Sequence, residues 1–147
     1  MDELIYSTRQ IFTDYLKMEG CEFFNIPEYQ RGYKWTVSNI VQLLEDLKGF
    51  KQNSSDEFYC LQNITITKTK VNEHTCFNVI DGQQRLTTLF ILISYIQRNM
   101  NDKVISRESD ILRYSIREET DRFLRESILS GNFWNDIDYK PSTKDQY

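Results

Sequence analysis

A single histidine, His74, occurs among 147 residues, with only two prolines, five glycines and three cysteines. Each scarcity closes off some chemistry. His74 sits in the polar stretch Asn72-Glu73-His74-Thr75, so no Ser-His-Asp or Cys-His relay can be assembled from sequence. Cys21, Cys60 and Cys76 are widely spaced and odd in number, which fits reduced thiols in a cytoplasm and not a disulfide framework. Without a close Cys pair, a zinc site is not expected. Few Gly and Pro leave little room for long irregular segments. Positive charge is in deficit: 18 Lys and Arg face 22 Asp and Glu, for a net −4 and a pI of about 5.1. A broad basic face for nucleic acid is therefore excluded, though a local Arg/Lys cluster is not. Long hydrophobic runs are missing too. Leu89 to Ile96 is the longest apolar-rich stretch, far short of a bilayer span, and Met1-Asp2-Glu3-Leu4 lacks a signal-peptide core. No membrane partner is expected, and the location read from these absences is cytoplasmic.

What the chain does have is aromatic mass: nine Tyr, nine Phe and two Trp, or 14%. With 39% hydrophobic and 27% charged residues, it reads as one globular domain. Leu4, Ile5, Ile11, Phe12, Tyr15 and Leu16 recur at helical spacing and predict a helix over 2–17, ended by Glu19-Gly20. Residues 22–26 predict a short strand stopped by Pro27. Residues 27–35, Pro-Glu-Tyr-Gln-Arg-Gly-Tyr-Lys-Trp, have no periodicity and form a loop of aromatics and cations. Thr36 is placed to cap a helix over 37–49, with Val37, Ile40, Val41, Leu44 and Leu47 as its apolar face. A polar loop at 51–57 precedes a strand over 58–67, and a polar turn at 68–75 leads to a strand over 76–80, its neighbour or hairpin partner. A helix from Gln83 to about Asn99 carries Leu86, Leu89, Phe90, Ile93 and Ile96, with Ile91 and Leu92 widening the stripe. Alternation at Leu112, Tyr114 and Ile116 predicts a last strand, and 118–130 a last helix with Phe123, Leu124 and Ile128. Residues 131–147 form a polar tail that reads as the start of a downstream region.

Two polar clusters could carry chemistry. The first is Asp81-Gly82-Gln83-Gln84-Arg85, followed by Leu86-Thr87-Thr88. It lies where a strand turns into a helix, whose free N–H groups and positive dipole end attract anions. Gly82 permits a tight turn, and Gln83 and Gln84 bring amides. Arg85 brings a planar fork for phosphate, Thr87 a hydroxyl, and Asp81 a carboxylate for a metal ion or a water. The competing reading is a helix cap at Asp81 and an ion pair at Arg85. The second cluster is Tyr29-Gln30-Arg31-Gly32-Tyr33-Lys34-Trp35. Its aromatic faces could stack a base while its cations neutralise phosphates. In the alternative, Tyr33 and Trp35 enter the core and Arg31 and Lys34 snorkel.

Taken in order, Ile26-Pro27-Glu28-Tyr29-Gln30-Arg31-Gly32-Tyr33-Lys34-Trp35, Leu44-Glu45-Asp46-Leu47 and Val79-Ile80-Asp81-Gly82-Gln83-Gln84-Arg85-Leu86-Thr87-Thr88-Leu89 resemble the N-terminal domain family of GmrSD-type, modification-dependent restriction systems. Arg117 and Phe123-Leu124 resemble a later family segment, and the likeness covers roughly residues 5–130. The resemblance implies an α+β fold, a small mixed β-sheet flanked by helices, of ParB/sulfiredoxin type, over 1–130. It implies a nucleoside triphosphate as ligand, with NTP hydrolysis as the candidate activity, in bacterial anti-phage defence. By that resemblance Asp81, Gln84 and Arg85 are the catalytic candidates. Gln30, Arg31, Gly82, Gln83 and Arg85 are the nucleotide-binding ones and Asp81 the candidate ligand of a Mg²⁺ ion; the residue types themselves add Thr87 as a further nucleotide-binding candidate and Tyr29 or Tyr33 as the face for the base. DNA would be reached through a downstream domain or a partner nuclease, since this chain has no His/Asn-rich HNH-type segment. A non-catalytic module sensing DNA or a modified base, and a scaffold for a separate nuclease, stay open beside it. One departure stands out: the family often has a glycine where this chain has Gln62.

Overall fold

The computed structural model describes residues 5–54, 56–100, 111–115 and 118–129, and four strands and four helices build the domain within them. The first helix, α1, comprises Thr8–Gln10, a π-helical turn Ile11–Tyr15, and Leu16–Met18. It starts later than the predicted residue 2 because Ser7 caps it. The Ser7 hydroxyl accepts from the Gln10 N–H at 3.2 Å, and the Gln10 side chain accepts from the Ser7 N–H at 2.8 Å. Gly20, at φ +64°, ends it as expected.

Strand β1 is Phe24–Ile26, and helix α2 is Val37–Gly49. Asn39 reaches back to the Thr36 N–H and hydroxyl, both at 2.9 Å, so the predicted start of α2 is where it falls. Its packing differs from the prediction: Leu43 is the buried residue, while Val37, Val41 and Leu44 face outward. The apolar residues of this helix cover two stripes, and periodicity alone could not tell which one faces the protein.

Strands β2, Thr65–Val71, and β3, His74–Asp81, form an antiparallel hairpin. Its turn is tighter than the predicted polar span because Asn72 and Glu73 both take positive φ, 47° and 68°, matching the twist of the strands they join. The strand expected over 58–67 is corrected to begin only at Thr65. Gln62 lies at φ +77°, which no extended strand can contain, so the aromatic run before it is irregular chain. Helix α3 is Gln83–Met100, strand β4 is Leu112–Tyr114, and the last helix, α4, is Glu118–Arg122 continued by the π-helical turn Phe123–Leu129. The expected Arg117 segment and the 131–147 tail lie outside the described residues.

The sheet has the order β2-β3-β1-β4, with β1 parallel to both β3 and β4. This is the small mixed sheet with flanking helices of an α+β domain. Phe24, Ile26, Phe77, Val79, Leu112 and Tyr114 share one core cluster with Phe12 and Leu16 of α1, Leu86, Leu89 and Phe90 of α3, and Leu124 and Ile128 of α4. Asn25, Asn78 and Arg113 align in register in the middle of the sheet. Asn25 is buried, yet its amide donates to Asn78 at 2.8 Å and accepts from the Ser115 hydroxyl at 2.6 Å, so both its amide nitrogen and its oxygen are engaged. Among the described residues, no helix is long and apolar enough to cross a membrane.

Candidate functional site

Parallel strands β1 and β3 both deliver their C-terminal ends to the same edge of the domain. Loop 27–35 leaves β1 there, and Asp81-Gly82 turns β3 into α3 there. The turn depends on Gly82, which has φ +89°. A Cβ on it would meet Ile64 Cγ1 at 3.1 Å and the Asn63 carbonyl at 3.3 Å. The Asp81 carboxylate accepts from the Gly82 N–H at 2.8 Å, next to it in the chain, and so shapes the turn. Among the described residues, no side chain caps the N–H groups of Gln83, Gln84 or Arg85, and the first intrahelical bond runs from Leu86 to the Gly82 carbonyl at 2.9 Å. Asp81 thus brings one carboxylate to the positive end of this 18-residue helix, and the three N–H groups above it have no side-chain partner among the described residues.

Glutamine amides staple the loop onto this helix end. Gln30 donates to the Ile80 carbonyl at 2.7 Å. Gln83 donates to the Arg31 carbonyl. Gln84 donates to the Gly32 carbonyl at 2.9 Å and accepts from the backbone N–H groups of Lys34 at 2.6 Å and Trp35 at 3.2 Å. Tyr33 adds a hydroxyl pair with Thr88 at 2.8 Å, and burial pushes its phenol above the ordinary value while the Thr88 bond pulls it back. An aperiodic loop has no ladder for its own backbone groups, and these side chains complete it, at a net of about 1 kcal/mol per bond.

The cations gather around the same junction. Arg31 and Lys34 are exposed on the loop. Arg85, half-buried, lies with its guanidinium 5.7 Å from the centre of the Trp35 ring. Among the described residues, none of the three has a carboxylate partner within ion-pair distance. Among the described residues, then, Arg85 pairs with no acid. Trp35 and Tyr33 stay outside the buried core, and Tyr29 is 69% exposed at the loop tip.

The sequence-predicted residues thus separate by role. Gln30, Arg31, Gly82, Gln83, Gln84 and Arg85 meet at one junction, with Asp81 at its edge, while Tyr29 is exposed on the loop beside Gln30. Thr87 does not join them: it is 2% exposed, and its hydroxyl is paired at 2.7 Å with that of Tyr114 in the contact between α3 and β4. Gln84 belongs to the junction, but its amide is occupied by the loop backbone. Gln83 is 6% exposed and its Oε1 is buried without a donor among the described residues, an omission that costs about 1–3 kcal/mol in a folded chain. Sequence reasoning passed over Tyr59, whose hydroxyl lies 3.4 Å from the Asp46 carboxylate. That phenol is raised by desolvation and by Asp46, and lowered by the nearby charge of Arg85. Asp46 also accepts from Gln42 at 2.9 Å, one turn earlier in α2. The expected strand over 58–67 hid Tyr59, because a strand would have carried it along the sheet.

Among the described residues, no three His, Cys, Asp or Glu side chains cluster to hold a metal ion. Asp81 alone, with one oxygen engaged by Gly82, suits only an ion that brings most of its own ligands, such as Mg²⁺ carried by phosphates.

No curated protein and no solved structure matches the chain. A family model does: that of the GmrSD restriction endonuclease N-terminal domain, over residues 9–147. The match spans both clusters of the junction and nearly the whole sequence, and the chain belongs to the family of GmrSD restriction endonuclease N-terminal domains.

Proposed function

We propose that the junction of loop 27–35 with the N-terminus of α3 binds the phosphates of a nucleoside triphosphate, and that the domain hydrolyses it in the service of DNA restriction. One observation supports this reading: among the described residues, Arg31, Lys34 and Arg85 of the junction have no carboxylate within ion-pair distance, and no side chain caps the N–H groups of Gln83, Gln84 or Arg85. Charge left unpaired beside unmet N–H groups favours a polyanion. Arg85 and Arg31 grip phosphate oxygens as planar forks, with Lys34 as a mobile third charge. Tyr29, exposed on the same loop, offers a face for the base. Asp81 would hold a Mg²⁺ ion that neutralises phosphate charge, or would orient a water. Phosphoryl transfer asks mainly for such positioning and charge neutralisation. Gln30, Gln83 and Gln84 keep the two halves of the site in register. DNA cleavage itself falls to a further domain or a partner nuclease.

Isothermal titration of the chain with ATP, GTP, CTP and UTP in the presence of Mg²⁺ tests the reading. At least one should bind, and Arg85→Ala should weaken it by about tenfold or more, the size of a lost charge-assisted contact. Absence of heat from all four removes the proposal. The exposed Tyr29 and the half-buried Trp35 also favour a second reading, a module that senses DNA or a modified base. It predicts oligonucleotide binding that falls steeply with salt and is lost in Trp35→Ala, without nucleotide binding.

A further inference from the structure

Gln83 and Gln84 carry the same amide one residue apart, yet the fold uses them differently. Gln84 Nε2 donates to Gly32, and its Oε1 accepts from both Lys34 and Trp35. An amide oxygen has two lone pairs, so that acceptor is filled. Gln83 uses its Nε2 alone, on the Arg31 carbonyl. Its Oε1 is buried between the loop and α3 and has no donor among the described residues. Turning this amide over would set Oε1 against the Arg31 carbonyl, two acceptors face to face, so its orientation is fixed.

This atom can only accept. Phosphate oxygens, ionised at neutral pH, cannot satisfy it. Gln83 is the first residue of α3, so phosphates held at that helix end are its immediate neighbours. The proton-bearing groups next to a triphosphate are the sugar hydroxyls and the water that attacks in line. We infer that Gln83 Oε1 receives an O–H donor that arrives with the nucleotide, which makes Gln83 the ligand-reading member of the pair and Gln84 the structural one. For the donor to reach this buried atom, the loop must give way at Arg31, whose carbonyl the same amide holds. This inference rests on the nucleotide reading above.

Titration and phosphate-release kinetics on wild type, Gln83→Met, Gln83→Glu and Gln84→Met, with ribo-, 2′-deoxy- and 3′-deoxynucleoside triphosphates, test it. Methionine keeps the length of the side chain and removes the acceptor, together with the donor to the Arg31 carbonyl. If the donor is a sugar hydroxyl, wild type prefers the ribonucleotide by about tenfold, and Gln83→Met erases that preference. If it is the attacking water, the sugar forms bind alike, and Gln83→Met lowers kcat by about tenfold or more at unchanged KM. Gln83→Glu loses the donor to the Arg31 carbonyl and sets a negative charge beside the phosphates, so it should weaken every triphosphate, and a melting temperature of Gln83→Met close to wild type guards against a variant that merely misfolds. Gln84→Met should weaken all nucleotides alike. The inference is overturned if a folded Gln83→Met keeps wild-type preference and turnover, if Gln83→Met and Gln84→Met show the same losses, or if wild type binds nucleotide with neither sugar preference nor turnover. A wild type that binds no triphosphate overturns the nucleotide reading itself, and this inference with it.

Discussion

Two backbone positions decide how the chain enters its site, and they make opposite predictions. Gly82, at φ +89° with Ile64 and Asn63 pressed against it, has neither the conformational nor the spatial freedom for a side chain. Gly82→Ala should lower stability by about 1–3 kcal/mol in urea unfolding, the sum of left-handed strain and crowding. Gln62 holds φ +77° without being glycine. Replacing it should do the reverse: Gln62→Gly relieves strain that exceeds the entropy it adds, for a change between zero and about 1 kcal/mol of stabilisation. Were residue 62 in a strand, the same change would destabilise. Tyr33 gives a third residue-scale prediction. Its phenol is raised above 10.0 by burial, so the unfolded chain ionises it first. The stability it contributes is complete below pH 10 and declines as pH rises through the folded value. Urea midpoints between pH 9 and 11 should fall more shallowly in Tyr33→Phe than in wild type, against a background from Tyr15, which is raised by burial as well.

At the scale of elements, the loop is built by the helix it faces. Gln84→Met removes the amide that holds the backbone of Gly32, Lys34 and Trp35 on α3. Hydrogen exchange at the amides of Lys34 and Trp35 should rise by at least about tenfold in this variant, while amides of β3 stay as protected as before. How much of this was legible in sequence differs element by element. The caps at Thr36 and Gly20, Pro27 after β1 and the Gly82 turn were readable because each is a local rule with a local cause. The convergence of the two clusters followed from their joint resemblance to one family. Neither the late start of β2 nor the outward stripe of α2 could be read. The first depends on one residue in the left-handed region, the second on which of two apolar faces finds a neighbour. The division of labour between Gln83 and Gln84 was equally hidden, since identical side chains differ here only in what lies opposite them.

For the molecule as a whole, the parallel pairing of β1 with β3 is what gives the site its position. Both strands run the same way, so their C-terminal ends share an edge, and residues 50 or more positions apart in the chain become neighbours. The core behind that edge is closed to reagents. Cys21 and Cys76 are buried, with thiols pushed up by burial, whereas Cys60 is exposed. With a disulfide reagent at neutral pH, one thiol should react at once and two only at the rate of unfolding, and a chromogenic thiol assay counts them.

The amide staple between loop and helix carries a consequence of its own. Carboxamides have no net charge and do not titrate, so their grip is nearly indifferent to added electrolyte and to acidity. The guanidinium and ammonium groups displayed on that frame are not. Raising sodium chloride should therefore loosen capture of an anion while the frame stays assembled, so that melting temperature and dissociation constant part company along one salt series.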